Sequence, residues 1–124
     1  MQNSNTVVAA AALQKGQFVK LDGSQEATPC TAAGEEAYGV ALNSAEAGKR
    51  VVIVTEGTAQ ALCSDNTVKL GDEIMTDADG QVAKATKASS TYTLGKARYN
   101  GRAASSAGQV AFLEIDLSTL ARSY

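Results

Sequence analysis

Val51, Val52, Ile53 and Val54 are four consecutive β-branched apolar residues, so an extended chain here presents apolar side chains on both of its faces. Such a run is stable only where both faces are covered, within a layered β structure or at a subunit contact. Lys49 and Arg50 before it and Glu56 after it are expected to act as charged gatekeepers against pairing with other chains. With the preceding YGVAL and a small turn ending at Gly48, the segment from Tyr38 to Gly57 reads as strand, turn, strand.

The same grammar occurs twice. LQKGQFVKLDGSQEATP, from Leu13 to Pro29, has a counterpart in VKLGDEIMTDADGQVAKAT, from Val68 to Thr86, and the pairing sets Gly16 against Gly71. Gly39 likewise answers to Gly95, after which GVALNSAEAGKRVVIV corresponds to GKARYNGRAASSAGQVAFLEI, lengthened around Tyr99 to Arg102. Two similar halves are expected. Strands are expected at Phe18–Leu21, Val51–Thr55 and Val110–Ile115, with tight hairpin turns at Asp22-Gly23 and Asp79-Gly80. Six or more short strands at this spacing predict an all-β fold, a small β-barrel or β-sandwich. Asn43–Gly48 and Ala103–Gly108 each read as one short helical turn with a Gly exit. The C-terminal DLSTLARSY fits either a short helix or a last strand.

At 124 residues the chain has the length of one domain. Much of its 44% hydrophobic content is Ala, which buries little area per residue, so self-association is an attractive source of further burial. A net charge of −2 with dispersed Lys and Arg argues against a nucleic-acid partner. The apolar run Val7–Leu13 is far too short to span a bilayer, and no basic residue precedes it, as a secretory signal would require; no membrane partner is expected. Residues 1–12 read instead as an extended or loosely held N-terminal arm ahead of a single β-rich domain at 13–124. Cys30 and Cys63 lack CxxC spacing, and the chain has no His, so small core residues are the simplest reading, with a disulfide left open.

Catalytic motifs fail on inspection. DADG at Asp77–Gly80 shares its first residues with a calcium loop, but the position that should supply a bidentate Glu is Ala88 and the Gly comes too early; a turn is expected. AGKR at Ala47–Arg50 has Arg50 where a phosphate loop needs Ser or Thr. Without His, a nucleophile would need a Lys or carboxylate base, and no local arrangement offers one. The expectation is a protein that is not an enzyme and uses no cofactor or metal.

The succession KGQFVKLDG, YGVALNSAEAGKRVVIVTEGTAQA, VKLGDEIMTDADGQVAKAT and LGKARYNGRAASSAGQVAFLEIDL resembles the head decoration, or capsid cement, proteins of tailed bacteriophages over about residues 13–117. The resemblance implies a β-rich homotrimer, made in the host cytoplasm, that binds the outer surface of the expanded capsid and clamps neighbouring capsomers of the major capsid protein. It further implies capsid contact by the N-terminal arm, at Gln2, Asn3, Ser4, Asn5, Thr6, Val7 and Val8. A second reading is a non-enzymatic β-barrel adaptor or receptor-binding module in the tail or fibre. It would use a concave aromatic site, whereas Phe18, Tyr38, Tyr92, Tyr99, Phe112 and Tyr124 are dispersed.

Overall fold

The β-branched run opens a strand much longer than expected. In the computed structural model, which describes residues 2–63, 68–85, 93–98 and 111–118, it begins a 14-residue strand, β5 (Arg50–Cys63). The other strands among the described residues are β1 (Gln2–Val8), β2 (Phe18–Leu21), β3 (Ala27–Pro29), β4 (Gly39–Ala41), β6 (Glu73–Thr76), β7 (Val82–Lys84), β8 (Gly95–Ala97) and β9 (Ala111–Ser118). The fold is all-β, as expected.

The C-terminal part of β5 closes a five-stranded barrel. It pairs antiparallel with β9, β9 with β8, β8 with β6 and β6 with β7, and β7 returns to β5 through a parallel pairing of Val82 with Cys63. The N-terminal part of β5 starts a second ring of the same topology. It pairs with β1 and β4, β4 pairs with β2 and β2 with β3, and β3 returns to the chain just after β1 through a parallel bridge between Ala27 and Ala9. The two halves read from the sequence are therefore two small barrels sharing one strand.

Their correspondence extends to single hydrogen bonds. Gly16 N–H donates to Ala41 C=O as Gly71 N–H donates to Ala97 C=O, and both glycines have φ of 86°. Leu42 N–H reaches Val52 C=O as Arg98 N–H reaches Glu114 C=O. In the two hairpins Asp22 and Asp77 play one role: each carboxylate accepts two backbone N–H groups, from Ser24 and Glu26 in one case and from Asp79 and Gln81 in the other. The turns are longer than the two-residue hairpins expected. The counterpart of Gly80 (φ 75°) is Gln25 (φ 62°), not Gly23.

Two clusters of buried side chains fill the rings. Val51, Ile53, Val19 and Leu13 with Ala9, Ala27 and Ala41 form the smaller one, in the first barrel. The larger includes Ile74, Leu94, Leu113, Ile115 and Leu117 in the second barrel, and extends through Val54, Val40 and Phe18 into the junction. A β-bulge accounts for the split: Ser4 and Asn3 oppose Val54 and Glu56, so Thr55 is an extra residue in β5. Before the bulge Val51 and Ile53 face the first core; after it residues of the same parity, Ala59, Ala61 and Cys63, face the second. The two-sided burial expected for Val51–Val54 follows, because Val54 already points to the other core.

Other expectations are corrected. Asn43–Gly48 forms no helical turn: Asn43 Oδ1 accepts Val52 N–H at 2.9 Å, and Ala45 exchanges two backbone hydrogen bonds with Leu13. One isolated turn carries the full cost of helix nucleation, whereas these bonds extend an existing sheet. Ala103–Gly108 lies outside the described residues. The first residues of DLSTLARSY continue β9 to Ser118. Of the two readings of the N-terminal segment, the extended one describes Gln2–Val8: all seven residues have partners on β5, and the adjoining Ala9 is buried at 1% exposure.

Gly95 lies where β8 meets β9. Its φ is 135°, and a Cβ there would collide with the carbonyl oxygen of Asp116. Gly48, with φ of 85°, has open space around the same position. Gly95→Ala is therefore expected to cost about 3 kcal/mol or more, as overpacking and backbone strain combine. Gly48→Ala should cost only the left-handed backbone term, about 1–2 kcal/mol. Denaturant unfolding of the two variants checks the difference.

Candidate functional site

Among the described residues, β1 is the stave with an open side. Its sequence, QNSNTVV, contains no charge and no Pro, the devices that usually protect an edge strand. Ala9 N–H donates to Lys49 C=O on the β5 side, so by antiparallel alternation Val7 and Asn5 also turn their main-chain groups toward β5. Ser4, Thr6 and Val8 turn theirs outward. Their side chains are exposed as well, whereas Val7 packs against the first core and Asn5 Nδ2 donates to Tyr38 Oη at 2.7 Å. The strand is thus anchored on one side and offers main-chain donors and acceptors on the other.

The seven residues singled out as arm contacts, Gln2, Asn3, Ser4, Asn5, Thr6, Val7 and Val8, all belong to this strand. Lys49, Arg50 and Glu56, expected as charged gatekeepers, surround the Val51–Val54 run of β5, which is paired on both sides, while β1 lacks such charges. The uncharged composition of residues 2–8 was the available signal.

A groove of about 450 Å³ lies beside β5, between β4 and β9. Leu42, Val54 and Ala59 line it, with Lys15 and Glu114 among its charged residues. Among the described residues that line it, Glu114 is the one carboxylate. Among the described residues no group of three or more His, Cys, Asp or Glu is placed to hold a metal ion. Asp77, the start of the calcium-like motif, is engaged by the backbone N–H groups of its own turn. Phe18 is buried in the junction and Tyr38 packs against the first core, while Tyr92, Tyr99 and Tyr124 lie outside the described residues.

Two titratable groups are perturbed in the loop after β3. Burial, reinforced by the nearby Glu35 carboxylate, pushes the Cys30 thiol up to about 12. Cys30 and Cys63 are both buried and not joined in a disulfide, consistent with small core residues. Burial acts on Glu35 in the opposite sense to its partners, but the Lys20 ammonium at 2.9 Å and the N–H groups of Thr31 and Ala32 outweigh it and hold the carboxyl below its ordinary value. The pair staples the loop to β2. These features stabilise the fold and offer no reactive group.

The described residues thus form two small barrels that share a strand, one of them with an unprotected edge. Residues 2–113 match the phage cement protein family, and the chain belongs to that family. It is a phage structural protein, and membership implies association with the phage capsid. The fold is similar to that of the N base of head fiber gp8.5 in bacteriophage phi29, at 21% sequence identity and a TM-score of 0.68, covering 98% of this chain and 100% of that one. No curated protein matches the chain.

Two predictions follow from the perturbed groups. Because the folded pKa of Glu35 is lowered, its stabilisation is complete above the unfolded value and is lost as pH falls through the folded one. Glu35→Gln should therefore lower stability by about 0.5–1 kcal/mol at pH 7, a figure discounted for solvent screening of the partly exposed pair, and the deficit should vanish in acid. Thermal unfolding across that range measures it. A thiol-reactive chromophore should leave Cys30 unlabelled in native protein at pH 8 and label it on unfolding, since the thiolate is the nucleophile.

Proposed function

We propose that the protein cements a phage head. It binds the outer capsid surface as a homotrimer, joins neighbouring capsomers of the major capsid protein and stabilises the expanded shell. The observation that carries this reading is the open edge of β1, in a chain of the cement family. Ser4 and Thr6 direct backbone N–H and C=O groups outward from a strand that β5 already holds straight, so an extended capsid segment can add to it without the entropy cost of first ordering an arm. Many identical sites on one shell add avidity, so each contact can be modest. The role requires no catalysis.

The likeness to a head-fibre base favours a second reading, an adaptor that seats a fibre on the shell. Heating distinguishes the two: a cement raises the temperature at which particles open, whereas an adaptor occupies them without doing so.

The edge has a clean test. Deleting residues 1–12 would remove a wall of the first barrel along with the contact, so loss of binding would be uninformative. Thr6→Pro removes only an outward N–H, at an edge position where Pro is tolerated. The variant should retain wild-type thermal stability to within about 0.5 kcal/mol and lose capsid binding by about tenfold or more in co-sedimentation with particles. Undiminished binding by this variant would reject β1 as the contact.

A further inference from the structure

The internal repeat leaves half of one contact unused. Within the chain, the corner ahead of β2 packs onto the second barrel: Gly16 C=O accepts Leu62 N–H at 2.8 Å, and Phe18 N–H donates to Gly80 C=O at 2.7 Å. Gln17 Nε2 also donates to Asp79 C=O at 3.3 Å. The hydrogen-bond correspondence maps this corner, residues 15–18, onto residues 70–73 of the second barrel. It maps the receiving flank, Leu62 with Asp79 and Gly80, onto Val8 with Ser24 and Gln25 of the first.

Both mapped surfaces include exposed residues: Leu70 and Gly71 on the corner, and Val8, Ser24 and Gln25 on the flank. Gly16 is buried in the internal contact, but Gly71 is exposed with the same φ. Where the internal corner carries Lys15, the outer one carries Leu70 at 66% exposure, and the outer flank carries Val8 at 36%. These are two of the three exposed large hydrophobics among the described residues, the third being Leu42. The N–H of Val8 points away from β5, in the direction that Leu62 uses to reach Gly16. The two exposed surfaces are related to each other as the two sides of an existing interface, with Leu70 and Val8 adding apolar contact and with Glu73 and Gln25 standing where that interface has Phe18 and Gly80.

We infer that a second copy of this chain fills them. The Leu70–Gly71 corner of one copy seats on the Val8, Ser24 and Gln25 flank of another, with Gly71 C=O accepting the Val8 N–H. The contact is heterologous, so every copy uses one corner and one flank, and a rotation that closes yields a ring of barrels in which internal and intermolecular contacts alternate. It leaves the capsid-facing edge at Ser4 and Thr6 clear. In the internal contact the counterpart of Thr6 is Gln60, which stays exposed beside the seated corner.

The inference rests on the self-association in the function proposed above, and its test uses the isolated full-length chain, so failure here is separable from failure of capsid binding. Sedimentation velocity is measured on wild type, Leu70→Asp, Val8→Asp and an equimolar mixture of the two variants, with thermal unfolding confirming that each is folded. Wild type should associate, and either substitution should weaken association by about tenfold or more. The mixture should form one-to-one dimers, because each variant retains the surface that the other lacks. If Val8→Asp does not fold, Val8→Ser takes its place. A monomeric wild type, single variants that associate like wild type, or a mixture without heterodimer overturns the assignment.

Discussion

The structure depends on the bulge at Thr55. β5 is the one strand common to both barrels, and an uninterrupted 14-residue strand would present the same set of side chains to one side along its whole length. The extra residue exchanges the faces midway, so Val51 and Ile53 close one core and Ala59, Ala61 and Cys63 close the other. Without it, Ala59, Ala61 and Cys63 would face away from the second core while Val51 and Ile53 faced the first. The same residue places β1 and β4 on the first part of the strand and β7 and β9 on the second, which sets the relative placement of the barrels.

Each barrel is held as much by backbone geometry as by side-chain burial. The first core contains few large residues, and a buried Val, Leu or Ile contributes only about 1.5–3 kcal/mol. Closure therefore leans on matched main-chain contacts: the Asp22 and Asp77 turns, the Gly39 and Gly95 approaches, and the bonds from Gly16 and Phe18 across the junction. A closed ring has few edges, and the open one on β1 is correspondingly conspicuous. In this phage structural protein the ordered backbone of β1 presents a ready strand.

The repeat was legible because its markers are backbone requirements. Gly16 and Gly71, like Gly39 and Gly95, stand at equivalent places that tolerate little else, and Asp22 and Asp77 keep their roles although the surrounding residues differ. What misled the reading were features whose meaning depends on distant partners. NSAEAG has the composition of a helical turn, yet Asn43 is drawn to Val52 and Ala45 to Leu13. Residues 2–8 look like a free arm, because nothing local indicates that β5 will pair with them. Lys49, Arg50 and Glu56 surround a run that strands cover on both sides, whereas the open edge lies on the uncharged β1.

Alternating and β-branched segments, turn residues and the duplicated pattern were enough to determine an all-β chain built of two like halves. Those signals are local, arising from backbone sterics and side-chain periodicity. Which strand the halves share, where its faces exchange, and which edge remains open were decided only by tertiary structure. Pairing between residues as distant as Ser4 and Val54, or Ala9 and Ala27, is settled by the closure of whole rings and has no local signature.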